Sequence, residues 1–247
     1  MMSSLFLSRG ANRSSQEAPP IMDRELSIKL ILLGEAGCGK TSLALRFSAD
    51  EFRVYSEPTI GASFFETSMT YEDEEEEDTT PSSETEEVVR RRRNNTVDFK
   101  IWDTAGQEKY HALAKMYYRG ADAALLVFDI SRASSFKTLQ GWVEELKEKG
   151  PPDIIMVICG NKLDLDASGD RQVLQQDAEA YATEIGAGYV EASAKDGTNV
   201  RELFLQVAKK MPTLLPENNS SEDAGETTIN LAARRSVYAS VTGCCRS

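Results

Sequence analysis

The sequence is poor in several things at once. It has one histidine, two tryptophans and four cysteines in 247 residues. No apolar run approaches the roughly 18–20 residues of a membrane-spanning helix. The cysteines are too few and too scattered for a disulfide framework. Cys38 lies in a glycine-rich loop, Cys159 in an apolar run, and Cys244 and Cys245 sit side by side near the end. That usage fits a reducing, cytosolic compartment. Positive charge is also short. With 28 Lys and Arg against 40 Asp and Glu the net charge is −12, which argues against nucleic acid as a partner. Residues 1–15 carry Ser and Arg but no acid, and the apolar patch Leu5 to Leu7 is too short for a secretory signal. Residue 2 is Met, which excludes N-myristoylation. Residues 1–25 read as a disordered arm, and the lone His111 is not a candidate catalyst.

What is present is a rhythm. Apolar runs alternate with amphipathic stretches from residue 26 to residue 211, the βα pattern of a mostly parallel sheet. Strands are expected at Ile28–Leu33, Ser63–Thr70, Thr96–Trp102, Ala123–Ile130, Ile154–Cys159 and Gly188–Ala192. The runs at 123–130 and 154–159 are continuously apolar, as in strands covered on both faces. Helices are expected at Lys40–Phe47, Ser134–Lys149, Gln175–Ile185 and Val200–Met211. Ser134 or Ser135 would cap the second, and Thr198 or Asn199 the last. The fold class is therefore α/β, a doubly wound, mostly parallel six-stranded sheet flanked by helices.

Two segments break the rhythm. Residues 72–95 hold ten acidic residues by Glu87 and four arginines at 90–93, a net −6. With so little apolar content this stretch reads as a mostly disordered low-complexity insertion where a short hairpin turn would otherwise stand. It is either a solvated loop or a partner site in which Arg90 to Arg93 bind acidic protein or lipid. Residues 212–247 read as a flexible tail.

Four motifs carry the chemistry. Gly34-Glu35-Ala36-Gly37-Cys38-Gly39-Lys40-Thr41 fits GxxxxGK followed by Thr, after an apolar strand and at the start of a helix. Its glycines turn backbone N–H groups toward phosphate oxygens, and the helix N-terminus, with Ser42 in its first turn, adds its dipole. Lys40 would neutralise the β- and γ-phosphates, and the Thr41 hydroxyl would ligate Mg²⁺. Asp103-Thr-Ala-Gly106-Gln107 ends the third strand. Asp103 would hold Mg²⁺ through water, the Gly106 N–H would reach a γ-phosphate, and Gln107 would orient an attacking water. Asn161-Lys162-Leu-Asp164 follows the fifth strand, and Asp164 can accept two hydrogen bonds from guanine. Adenine lacks that donor pair and would leave the carboxylate unpaired. In Ser193-Ala194-Lys195, at the end of the last strand, a backbone N–H can read guanine O6. Four motifs in order, each after an expected strand, make a guanine-nucleotide P-loop protein of the chain. An adenine-nucleotide kinase is the reading they oppose.

On these residues the chain resembles the Ras-like small GTPases, and within them the Rab branch. The segment Trp102 to Glu108, WDTAGQE, is shared by many Rabs. Thr59 to Phe64 and Tyr110 to Gly120 look most like the early-endosomal Rab-five group, as does the ending Cys244-Cys245-Arg-Ser. The resemblance implies further roles. Thr59 would bind Mg²⁺ and sense the γ-phosphate, and Phe52 would pack on the guanine. Phe64, Trp102 and Tyr117 would form the aromatic triad read by effectors, with core packing as the plain alternative for the first two. It implies an exchange factor, a GTPase-activating protein, a GDP-dissociation inhibitor, a Rab escort protein and effectors as partners. It also implies control of vesicle traffic on early endosomes. Cys244 and Cys245 would each carry a prenyl chain, since Arg246 breaks the CaaX pattern and two chains anchor stably where one does not.

Departures stand beside the resemblance. Ala36 takes a place where relatives often have Gly or Ser, near the approach of Gln107, which raises a weakly hydrolysing, GTP-dependent scaffold as an alternative. Lys115 stands where the endosomal relatives usually have Pro. Cys38 borders the phosphates, as tolerated packing or as a redox point. Trp142 is expected to serve packing.

Overall fold

The structure, a computed structural model, describes residues 24–76, 90–107 and 111–211. Within them the chain forms β1 (Arg24–Leu33), α1 (Lys40–Ala49), β2 (Ala62–Glu76), β3 (Arg90–Thr104), α2 (His111–Tyr118), β4 (Ala123–Asp129), α3 (Ala133–Lys149), β5 (Ile155–Asn161), α4 (Gln175–Glu184), β6 (Gly188–Ala192) and α5 (Val200–Lys210). The sheet order is β2-β3-β1-β4-β5-β6. Only β2 runs antiparallel, against β3. All other pairings are parallel.

Strand alternation divides the core in two. Leu30 and Leu32 of β1, with Leu125 and Val127 of β4, face one layer, where Phe99, Leu203 and Phe204 complete a cluster. Ile31 and Leu33, with Leu126 and Phe128, face the other, against Leu139, Trp142 and Val143 of α3 and Ala178 of α4. A strand whose odd and even positions are both apolar must be covered on both faces, so the continuous runs seen in the sequence dictate two helical layers. On the first face Phe47 of α1 stacks on Phe204 of α5 at 3.7 Å, and both rings meet Phe99 edge-on.

Three expectations are corrected. The segment 72–95 is not disordered throughout. Residues 72–76 extend β2, residues 90–95 belong to β3, and the two pair in register. That register sets Asp73 opposite Arg93, Glu74 opposite Arg92, Glu75 opposite Arg91 and Glu76 opposite Arg90. Opposite charges at facing positions favour a ladder, so composition that looks hostile to structure becomes complementary once paired. Asn95 is itself buried and faces Arg24 of β1. Residues 77–89 lie outside the described residues.

The cap of α3 is Arg132, with neither Ser134 nor Ser135 in that place. Ser135 lies inside the first turn, where its hydroxyl accepts from Asp129 N and donates to Arg132 O. Asn199 does occupy the cap position of α5, in a left-handed conformation and without a side-chain cap bond. Its amide instead donates to Glu191 O.

The first two residues of β1, Arg24 and Glu25, come from the expected arm. Its remainder, and the tail with Cys244 and Cys245, lie outside the described residues. Among the described residues no helix is long and apolar enough to cross a membrane.

Candidate functional site

The C-terminal ends of β1, β3, β5 and β6 converge on one edge of the sheet, the edge at which open α/β sheets bind ligands. A cleft of about 560 Å³ opens there. Its lining brings together residues separated by more than 150 positions. Ala36, Gly37, Gly39, Lys40, Thr41 and Ser42 come from the first loop and helix, and Phe52 and Thr59 from the segment before β2. Gly106 and Gln107 follow β3, Asn161, Lys162 and Asp164 follow β5, and Ala194 and Lys195 follow β6. Gly34, Glu35, Cys38, Asp103 and Ser193 are not among the lining residues, and support it.

The cleft needs its glycines for different reasons. Gly39 has φ of 95° and a Cβ there would collide with the Asn161 amide. Gly106 has an ordinary φ, but a Cβ on it would lie 2.5 Å from Ala36 N and from Lys40 Nζ. One glycine is fixed by backbone conformation, the other by close approach of two loops. Lys40 is buried and folds back on the loop, donating to Gly34 O at 2.8 Å and Glu35 O at 3.0 Å.

At this end of the cleft three side chains meet. The Thr41 hydroxyl donates to Asp103 Oδ2 at 2.5 Å, and the Thr41 and Thr59 hydroxyl oxygens lie 2.9 Å apart. Asp103 is fully buried, and its Oδ1 has no hydrogen-bond partner. Burial pushes its carboxyl above the usual carboxylate range, against the Thr41 hydrogen bond and the Lys40 charge. Two hydroxyls and a carboxylate with a spare buried oxygen are a hard-oxygen donor set of the kind Mg²⁺ takes.

The other end is polar in a different way. Asp164 lies in the first turn of a short 3-10 helix, Leu163–Ser168. Its Oδ1 accepts from Ser193 Oγ at 2.7 Å and its Oδ2 lies 3.3 Å from Lys195 Nζ. Asn161 is a strut. Its amide donates to Cys38 O at 2.8 Å, and its Oδ1 accepts from Ala194 N. It thus ties the phosphate-type loop to the loop after β6. Ser193 N donates to Thr198 O. Lys162, with φ of 69°, pairs with Asp129 at 2.6 Å. Burial alone would raise the Asp129 carboxyl, but hydrogen bonds from Lys162 and Ser131 hold it below the usual range.

This geometry agrees with the comparisons. The Ras-family model matches residues 29–213. Ras-related protein RABF2b of Arabidopsis thaliana is 42% identical over 224 residues, 90% of this chain and 97% of the relative. Ras-related protein Rab5 of Nicotiana tabacum is 41% identical over 194 residues, 78% of this chain and 86% of the relative. The chain belongs to the Ras family. It is a small GTPase of the Rab type, a protein that binds GTP and GDP and hydrolyses the first to the second.

In this Ras-family frame other residues gain meaning. Phe64, Trp102 and Tyr117 are one contiguous aromatic row, with centroids 5.1 Å and 5.0 Å apart. Phe64 is 50% exposed, so core packing does not account for it. Trp142 is core, as expected. Cys38 is fully buried and its thiol is pushed up by that burial. A thiol without thiolate character is a poor redox point, so tolerated packing is its reading. Tyr117 and Lys115 stand on α2, whose first residue is His111.

Two arginines matter that sequence reasoning missed. Arg46, in the last turn of α1, donates from Nε to Ala194 O at 3.0 Å and from Nη2 to Lys195 O at 2.9 Å. Arg132, before α3, reaches the loop at Ala36 and Glu35. Neither belongs to a motif. A basic residue at a helix C-terminus was the one visible signal for Arg46.

Proposed function

We propose that the chain is a GTP/GDP switch of the Rab type that controls vesicle traffic at early endosomal membranes, with nucleotide held in the cleft between Lys40 and Asp164. The observation that carries the reading is polarity within one cleft. Thr41, Thr59 and Asp103 meet at one end, and Asp164, Ser193 and Lys195 at the other. The first set suits phosphate and metal, and the second suits a base that donates two hydrogen bonds.

The residue roles follow. Ser193 orients Asp164 so that its carboxylate accepts from guanine, and an adenine would not supply the donor pair that this half-buried carboxylate meets. Phe52 lies along the base. Lys40 transfers its hydrogen bonds from Gly34 O and Glu35 O to phosphate oxygens. Thr41 and Thr59 would hold Mg²⁺ directly and Asp103 through water, and the cation would neutralise charge on the transferring phosphate. The Gly106 N–H contacts the terminal phosphate, and Gln107 orients the attacking water. Loss of that phosphate frees Thr59 and Gly106, so the segments that carry them relax.

Thr59 and Gly106 flank the hairpin that bears Phe64 and Trp102, so a change at phosphate reaches the aromatic row. Val54, Tyr55, Ile60 and Met116 are also exposed, and exposed apolar side chains of this kind suit effectors. Intrinsic hydrolysis is slow, and an activating protein would supply about 10³–10⁵-fold. An exchange factor, a GDP-dissociation inhibitor and an escort protein complete the cycle. Two prenyl chains on Cys244 and Cys245 would anchor it. The relatives whose printed names include Rab5 and RABF2 support endosomal membranes as its place.

The test is a change of base preference. An Asp164→Asn variant is expected to lose GTP affinity by about 10³-fold or more and to gain affinity for xanthosine triphosphate. Unchanged GTP binding by that variant would overturn the assignment of the base end. Imaging a Cys244→Ser/Cys245→Ser variant beside the wild type tests the anchor, which falls if the wild type is wholly soluble.

A further inference from the structure

The turn that joins β4 to α3, residues 129–132, grips the cleft twice. Asp129 pairs with Lys162 after β5. Three residues on, Arg132 reaches the phosphate-type loop. Its Nη2 donates to Ala36 O at 3.1 Å, and its Nε lies 4.0 Å from Glu35 Oε2. A Cβ on Gly37 would be 3.8 Å from the same Nη2. The guanidinium therefore covers the Ala36–Gly37 turn. Ala36 and Gly37 line the cleft and Arg132 does not, so the grip comes from outside.

The grip is well founded. Arg132 N donates to Asp129 O at 3.0 Å, and Arg132 O accepts from both Ser135 N and Ser135 Oγ. The residue is thus fixed to β4 and to the first turn of α3, a helix anchored by buried Leu139, Trp142 and Val143. The loop it holds is the opposite kind of element. Gly34, Gly37 and Gly39 all have positive φ, and glycine-rich backbone loses much freedom when it closes around a ligand. A planar guanidinium can serve a carbonyl and a carboxylate at once, which an ammonium does less well.

We propose that Arg132, with the Glu35 carboxylate nearby, is a positioning residue that holds the Ala36–Gly37 turn closed over bound nucleotide and so limits the rate at which nucleotide leaves. The inference rests on the reading of the cleft as a nucleotide site. It adds a control on residence time that lies outside the four motifs. The contact is with the loop, so the effect falls on binding rather than on the attacking water near Gln107.

The experiment uses the full chain loaded with a fluorescent GDP analogue and chased with excess GTP in Mg²⁺. Arg132→Gln is expected to release the analogue about tenfold faster, the effect of losing one charge-assisted hydrogen bond. Single-turnover GTP hydrolysis should stay within about twofold of wild type, because loss of a loop grip that leaves the attacking water alone spares the chemical step. Arg132→Lys is expected to fall between the two, since it keeps the charge and loses the fork. Glu35→Gln should raise release less than Arg132→Gln, and the double variant should release no faster than Arg132→Gln alone. Unchanged release in Arg132→Gln would overturn the proposal. So would a hydrolysis defect larger than the change in release, which would make the residue catalytic. Equal acceleration in the Lys and Gln variants, together with an equal fall in melting temperature, would reduce Arg132 to a structural residue. Failure of the wild type to retain the analogue at all would instead sink the nucleotide reading, and this inference with it.

Discussion

The β2–β3 hairpin has two ends that obey different rules. At one end Ala62 faces Thr104, and the adjoining Thr59 and Gly106 line a cleft built from four loops, with Asp103 buried beneath it. At the other end Glu76 faces Arg90, beyond the point where β1 begins pairing at Arg24 and Asn95. The first end is polar and buried, so each group needs a partner and small changes are costly. The second is a two-stranded ribbon held by its own backbone ladder, in which acidic positions stand in register with arginines. The same antiparallel pairing is thus a precise instrument at the nucleotide edge and a tolerant extension at the far edge. Function concentrates where elements distant in sequence converge.

Substitutions along the hairpin and around its inner end would break or sharpen that contrast. The largest effect is expected midway, where Phe99 is fully buried between Phe47 and Phe204. Phe99→Ala should cost about 3–5 kcal/mol of stability, read by denaturant unfolding. A loss below about 1 kcal/mol would show that the shared aromatic cluster does not hold the two ends together. At the inner end, Thr41→Ala removes the hydroxyl that meets both Thr59 and Asp103. GTP affinity should fall about 10–100-fold in a competition titration, with a smaller loss for GDP. Gln107→Leu should leave affinity nearly unchanged and slow stimulated hydrolysis by on the order of 10², measured in single turnover.

A pH series supplies a gentler test. The Asp129 carboxyl is held below its usual range by Lys162 and Ser131, with burial opposing. A depressed folded-state pKa contributes stability that is present above the unfolded value, about 3.9, and is lost as pH falls through the folded one. Melting temperature should therefore drop more steeply below about pH 4 in the wild type than in Asp129→Asn. Equal slopes would remove Asp129 from the acid transition.

The smallest effect is expected at the outer end. Replacing residues 77–89 with a two-residue Asn-Gly turn should change GTP affinity less than about twofold, since that turn suits a hairpin. A deletion reaching Asn95 differs, because Asn95 is buried and pairs with both β1 and β2. If the short replacement abolished nucleotide binding, the two ends would not be independent.

Much of this was legible in the residues themselves. The alternation of apolar and amphipathic stretches placed the six strands and four of the five α-helices found among the described residues, because covered strands and amphipathic helices leave different apolar spacings. The four motifs placed the cleft, since phosphate and guanine each demand specific groups at short spacings, and short spacings survive in one dimension. The flanks of the charged segment were not legible. Composition shows ten acids and four arginines in a row, whereas register shows Glu74 facing Arg92. The cap of α3 was misplaced for a related reason: Ser135 bonds back to Asp129 and Arg132, a contact fixed by where β4 ends.

The sequence by itself determined the fold class, the order of the motifs and the family, because each rests on local pattern and short motifs. The tertiary structure decided what holds those motifs to one another. Asn161 bridges Cys38 to Ala194, Arg46 supports the loop after β6, and Arg132 grips the loop at Ala36. Three of these four contacts span roughly a hundred residues or more of chain, and the same three end on a backbone carbonyl. A carbonyl is present at every residue, so no residue type marks the partner in advance, and only the folded chain can say which arginine meets which oxygen.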